Sequence, residues 1–211
     1  MDKHTYINAH PIVFDRLTTI RDKNTNSQKF RQCLNEIALF LSMDATANLP
    51  ICSKTIETPM AEMNGVVLDD VNPLIIPILR AGLALSDGLQ TILPHADTGH
   101  IGLYRDHETH EPVEYLNKLP SDLNRPIFVV DPMLATGHSM IKTLDVMIDA
   151  GAKADDITII TLLCAPEGLV ELRKTYPDVP LYTAAIDECL NENAYIIPGL
   201  GDAGDRYFGT N

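Results

Sequence analysis

No apolar run in this chain is longer than a β-strand. A membrane-crossing helix needs roughly 20 apolar residues in succession, so no span is expected. Met1-Asp2-Lys3-His4-Thr5 is followed by no signal-peptide hydrophobic region, which points to the cytosol. Cysteine is sparse. Cys33, Cys52, Cys164 and Cys189 stand singly, without a Cys-x-x-Cys pair or matching histidines, so neither a disulfide framework nor a zinc site is indicated. Positive charge is also short: 16 Lys and Arg face 29 Asp and Glu, a formal charge of −13. Such a field argues against nucleic-acid partners, and it would repel a polyanionic substrate. Charges beyond about 8 Å are largely screened at physiological salt, so a polyanion site here requires a few placed arginines. No Gly-x-x-x-x-Gly-Lys-Ser/Thr loop occurs, which excludes a Walker nucleotide site.

What is present suits an α/β protein of one domain, residues 1–211, with 45% hydrophobic and 6% aromatic residues. His10-Pro11 starts a helix with Ile12, Val13, Leu17 and Ile20 as apolar positions. Thr25 and Gln28 suit a capping box for a second helix from Ser27 to about Ala47, with Phe30, Cys33, Leu34, Ile37, Ala38 and Leu41 at helical spacing. Ile51 to Thr58 and Gly65 to Leu68 read as short strands on the sheet edge. Pro73 to Leu83 is the continuous apolar run of a central parallel strand, ending in Arg80-Ala81-Gly82. A guanidinium at a strand's carboxyl end, beside small residues, is placed to bind an anion or to cap a nearby carboxylate. Leu83 to Leu93 is helical. His100 to Leu119 reads as a β-arm with a polar tip, whose His107 and His110 lack the supporting ligands of a metal site. Asp155 to Cys164 and Leu181 to Ile186 are further strands, with a helix from Pro166 to Tyr176 between them. Alternating apolar strands and helices predict a parallel central sheet flanked by helices, with N-terminal helices and a β-arm.

The stretch richest in chemistry is Ile127-Phe128-Val129-Val130-Asp131-Pro132-Met133-Leu134-Ala135-Thr136-Gly137-His138-Ser139-Met140. It reads as strand, loop and helix start. Ligands of open parallel sheets collect at strand carboxyl ends, and a helix N-terminus offers unpaired N–H groups with a positive dipole end. The loop can cradle a phosphate, with Thr136 and Ser139 adding hydroxyl donors and Asp131 accepting from ribose hydroxyls. An ordinary strand-to-helix turn capped by Ser139 or Thr136 is the plainer alternative. Near the C-terminus, Gly199-Leu200-Gly201-Asp202-Ala203-Gly204 satisfies the dinucleotide pattern Gly-x-Gly-x-x-Gly. Seven residues follow Gly204, which leaves no room for the helix, strand and acid the pattern requires. Glycines packed this densely suit a main chain that approaches a small flat ligand closely.

Asp131-Pro-Met-Leu-Ala-Thr-Gly-His-Ser139 resembles the phosphoribosyl-diphosphate (PRPP) loop of the uracil phosphoribosyltransferases, type I phosphoribosyltransferases of pyrimidine salvage. Tyr195-Ile-Ile-Pro-Gly-Leu-Gly-Asp-Ala-Gly-Asp205 is similar to their uracil signature, and the Arg80 segment and Arg21 to Thr25 also match. The resemblance covers essentially the whole chain. It implies transfer of a phosphoribosyl group from PRPP to uracil, giving UMP and pyrophosphate. PRPP would be held by Arg80, Arg105, the whole loop Asp131, Pro132, Met133, Leu134, Ala135, Thr136, Gly137, His138 and Ser139, and Asp202. Uracil would be held by Ile196, Gly201, Asp202 and Ala203. Catalysis would fall to Asp202, Arg105 and Asp131, with Mg²⁺ carried through PRPP and bound to no protein ligand directly. The resemblance also implies self-association and admits GTP as an activator, for which no segment identifies a site. A PRPP-sensing regulator without turnover is the competing reading, but an acidic chain with no basic stripe supplies no nucleic-acid surface.

One residue departs from the family pattern. His138 stands where glycine is usual. A Cβ at positive φ costs roughly 1–2 kcal/mol, so His138 is expected at helical φ with its ring directed away from the loop interior.

Overall fold

The computed structural model of the chain describes residues 3–69, 72–105 and 112–210, with Arg105 described by its main chain alone. The chain opens with a short strand, β1 (Thr5–Ile7), where the sequence had suggested only helix. Its β-branched and aromatic residues suit an edge strand, and it pairs in parallel with β11 (Leu181–Ile186). α1 (Pro11–Arg21) and α2 (Ser27–Ala45) follow. The expected Thr25–Gln28 capping box does not form. Asn26 is the cap, its Oδ1 accepting from the Lys29 N–H at 2.9 Å, while the Thr25 hydroxyl donates to the Thr19 carbonyl at 2.6 Å. Asn caps at least as well as Thr, and the open carbonyls ending α1 take the Thr25 hydroxyl instead. All six apolar positions predicted for α2 are buried.

β2 (Ile51–Glu57) and β3 (Glu62–Leu68) correct a second expectation. They do not extend the main sheet; they pair only with each other, as an antiparallel hairpin exposed on both faces. Both ends of the main sheet path are taken, by β1 and β7. That sheet also contains β4 (Leu74–Leu79), β5 (Asp97–Thr98), β6 (His100–Arg105), β7 (Pro112–Lys118), β8 (Ile127–Val130), β9 (Met133–Leu134), β10 (Ile157–Cys164) and β11 (Leu181–Ile186). Its path runs β1-β11-β10-β8-β4-β6-β7, parallel except where β7 returns antiparallel along β6 as the predicted arm. The tip of that arm, with His107, His110 and the Arg105 side chain, lies outside the described residues.

The central strands are buried on both faces, yet they keep the two-residue alternation of a pleated strand. Ile75, Phe128 and Val130 join the core under α1, α2 and α3 (Leu83–Ile92), while Leu74, Ile76, Ile127 and Val129 join the one under α4 (His138–Asp149) and α5 (Pro166–Thr175). Each fully buried side chain such as Phe30 or Ile76 stabilises the fold by about 1.5–3 kcal/mol. β12 (Cys189–Leu190), β13 (Ile196–Ile197) and α6 (Ala203–Phe208) complete the chain, and α6 packs on α2. Among the described residues, no helix is long and apolar enough to cross a membrane.

α2 and α3 approach closely at one glycine. A Cβ on Gly88 would lie 2.5 Å from the Ala38 Cβ. Alanine normally favours a helix over glycine by about 1 kcal/mol, but this overlap decides the sign. Gly88→Ala is expected to lower stability by roughly 1–3 kcal/mol in urea unfolding, and adding Ala38→Gly to recover part of the loss.

Candidate active site at the carboxyl edge of the sheet

β4 and β8 are neighbours, but the chain leaves β4 toward β6 on one side and β8 toward β10 on the other. Among the described residues the two continuations part at the crevice between their carboxyl ends, the place where parallel sheets bind ligands. Asp131 sits there, its N–H bonded to the Ile160 carbonyl at 3.2 Å. The Pro132 carbonyl accepts from the Leu162 and Leu163 N–H groups, each at 3.0 Å, and β9 pairs with β10. The loop is therefore an extension of the sheet. Pro132 and Leu134 are buried, so these two face a ligand with main chain only.

The loop then rises to α4 through Gly137, whose φ of +85° makes it the left-handed N-cap, with no side-chain hydrogen bond. The capping alternative, Ser139 or Thr136, is not realised. The first turn of α4 keeps open N–H groups, the feature a phosphate needs. Gly137 carries the positive φ, so His138 begins the helix with the ordinary backbone expected of it, and its side chain is exposed. Thr136 and Ser139 are half-buried beside it. Behind the loop, α5 comes so close that a Cβ on Gly168 would stand 2.3 Å from the Ala135 carbonyl oxygen.

Arg80 emerges at the end of β4, exposed and in no ion pair among the described residues, which disposes of its capping alternative. Its guanidinium carbon lies 6.0 Å from the centroid of the Phe208 ring. The Leu79–Arg80 peptide is cis. Gly82 follows, where a Cβ would meet the Val130 carbonyl oxygen at 2.4 Å; only glycine lets β4 turn this tightly over β8.

A cavity of about 300 Å³ brings Asp131, Met133 and Ala135 from the loop together with Ile196, Gly201, Asp202 and Ala203 from the C-terminal segment. Seven residues expected at a site, from segments some sixty positions apart, line one space. Ala81, Asn193, Ala194, Tyr195 and Gly204 complete it. Asn193 and Ala194 escaped sequence reasoning, and Tyr195 stood in the uracil signature without being named as a site residue, although Asn191 gave a signal. Its Oδ1 accepts from the N–H groups of Asn193 and Tyr195, at 3.0 and 2.9 Å, a turn that asparagine commonly builds. Asp202 caps α6, with Oδ1 accepting from the Asp205 N–H at 2.9 Å, which leaves its second oxygen for the cavity.

Burial pushes the Asp131 carboxyl up to about 7, against a smaller opposing effect of the Met133 N–H. No cation pairs with it among the described residues. A carboxyl so placed wants donors, such as sugar hydroxyls, to hold its charge.

A family model described as uracil phosphoribosyltransferase matches residues 7–210. A uracil phosphoribosyltransferase of Dictyoglomus thermophilum is 52% identical over 95% of this chain and 97% of its own length. One of Clostridioides difficile is 50% identical over 95% of this chain and 96% of its own. Among solved structures, the AQ2163 protein of Aquifex aeolicus superposes with a TM-score of 0.91 at 30% identity, covering 98% of this chain and 99% of that one.

The raised pKa of Asp131 has a stability consequence. The folded chain keeps its proton up to about pH 7, whereas the unfolded chain loses it near 3.9. Between those values the folded state binds more protons, so stability falls as pH rises. Asp131→Asn removes that fall. It is expected to stabilise the ligand-free protein by about 1–3 kcal/mol more at pH 8 than at pH 4, as read by urea unfolding.

Proposed function

The chain belongs to the uracil phosphoribosyltransferase family and transfers the 5-phosphoribosyl group of PRPP to uracil, and we propose how its residues divide that work. The observation that carries the assignment of roles is the shared cavity, with Asp131 and the phosphate loop on one wall and a glycine-rich main chain on the other. In this reading the open N–H groups of α4 and the Thr136 and Ser139 hydroxyls hold the 5-phosphate. Asp131 accepts from the ribose hydroxyls and fixes the sugar, a contribution of orientation.

The bond from ribose C1 to the diphosphate oxygen breaks through an oxocarbenium-like state, and a bond from C1 to the uracil nitrogen forms as that nitrogen's proton passes to the leaving diphosphate. Negative charge gathers on the leaving diphosphate, where Arg80 and Arg105 stabilise it as preorganised positive charge. Ile196, Gly201 and Ala203 read uracil through main-chain groups. Asp202 stands where sugar and base meet and polarises the base. Uracil offers an acceptor oxygen where cytosine offers donors, so the wrong base leaves buried groups unsatisfied.

Mg²⁺ belongs to this reading through PRPP. Among the described residues, no group of three or more His, Cys, Asp or Glu side chains could hold a metal by itself. The cavity's two carboxylates, Asp131 and Asp202, are hard oxygen donors that suit an ion arriving on a diphosphate with its waters. When bound, Mg²⁺ neutralises diphosphate charge. A cytoplasmic setting goes with the free state of Cys33, Cys52, Cys164 and Cys189.

The deciding assay is UMP formation from uracil, PRPP and Mg²⁺, beside cytosine, hypoxanthine and metal-free arms. Uracil-specific, metal-dependent turnover is expected, falling by about a hundredfold or more in Arg105→Ala or Arg80→Ala. Wild-type rates in both variants would remove the arginines from the diphosphate. A GTP arm tests activation; an unchanged rate with GTP ends that part of the reading.

The proposal includes a homo-oligomer, supported by the β2–β3 hairpin. A lone two-stranded hairpin is marginal in water, and this one exposes Ile51, Ile56, Met63 and Val66. A second copy of the chain is the occupant proposed for it. Val66→Lys with Met63→Lys is expected to lower the sedimentation mass by at least half, and an unchanged mass would exclude the hairpin from the contact.

A further inference from the structure

We propose that Arg21 and Arg206 are positioning residues for the nucleobase, two guanidinium groups that touch no substrate and hold the base-reading main chain from behind. The inference rests on the uracil reading above and deepens it. A site that recognises a flat base through main-chain N–H and C=O groups cannot tune its selectivity with the side chains of those residues. Whatever fixes the main chain then fixes the selectivity.

Arg21, the last residue of α1, meets Asp187 just beyond β11 in a two-pronged pair. Nη1 donates to Oδ2 at 2.8 Å and Nη2 to Oδ1 at 2.5 Å. The Asp187 side chain is only 4% exposed. The same pair holds both main-chain groups of Gly199: its N–H donates to Asp187 Oδ2 at 2.9 Å, and its carbonyl accepts from Arg21 Nη1 at 2.8 Å. Arg206 does the equivalent one residue on. Its Nη1 donates to the Leu200 carbonyl at 2.7 Å and to the Ile20 carbonyl at 2.5 Å, and Nη2 donates to the Asp22 carbonyl at 2.7 Å. The guanidinium lies 4.6 Å from the centre of the Phe30 ring, a fully buried side chain of α2.

The carbonyls of Gly199 and Leu200 are thus both drawn toward the end of α1. Gly201, at φ +80°, then turns the chain so that it lines the cavity with Asp202 and Ala203. Glycine alone would leave this segment free to sample many conformations. Two planar forks anchored on separate elements remove that freedom, and lysine cannot reproduce a fork.

The test measures uracil KM, kcat, PRPP affinity by calorimetry without uracil, and melting temperature for Arg21→Lys and Arg206→Lys. Each variant is expected to raise uracil KM by about tenfold or more and to narrow the preference for uracil over cytosine, with PRPP affinity within about twofold of wild type. Asp187→Asn, which keeps an acceptor for Gly199, is expected to fall between wild type and Arg21→Lys. Unchanged uracil KM in a variant that binds PRPP overturns the proposal. Parallel losses for uracil and PRPP overturn it too, as does loss of PRPP binding in both lysine variants, because the arginines would then support the whole fold. A wild-type chain that does not turn over uracil would instead defeat the reading beneath it.

Discussion

The parting of the chain between β4 and β8 is the constraint on which the remaining features of the site depend. Two adjacent parallel strands send their continuations to opposite sides, α3 to one face and α4 to the other, and the crevice at their ends stays open. Gly82 makes that parting tight enough for a ligand to reach both strands, since a side chain there would strike the Val130 carbonyl. Arg80 and Asp131 then stand at the ends of neighbouring strands, an exposed guanidinium and a buried carboxyl at one crevice. Gly168 does for the far side of the loop what Gly82 does for the near side, letting α5 support the Ala135 carbonyl directly. The loop is thereby clamped between a sheet edge and a helix, and its geometry is set before any ligand arrives.

Much of this was legible in the chain because it is local. Strand runs such as Ile127–Val130 and Leu181–Ile186, the apolar face of α2, and the loop from Asp131 to Ser139 all announce themselves by spacing within a few residues. The features that escaped depend on competition or on distance. Asn26 and Thr25 are both good caps, and which one serves depends on a carbonyl of the preceding helix. β2 and β3 have strand-like residues, but whether they join the sheet is decided by which strands occupy its edges, a property of the whole fold. Arg21 and Asp187 are 166 positions apart, and no periodicity links them.

The acidity of the chain sharpens the electrostatic argument. A formal charge of −13 opposes a substrate with two phosphate-bearing ends, and screening beyond about 8 Å leaves the outcome to the nearest groups. Two of the arginines, Arg21 and Arg206, are already spent on carbonyls and Asp187, so their charge serves structure. Arg80 is the described arginine at the crevice that has no such commitment, and the start of α4, where Gly137 supplies no side-chain cap, adds a positive end further along the loop from Asp131. In the proposed division of roles these two sources serve the two ends of PRPP, diphosphate and 5-phosphate, and the carboxyl serves the sugar. A binding site of this polarity accepts a molecule with negative charge at both ends and hydroxyls in the middle, and the desolvated Asp131 penalises one whose middle offers no donors.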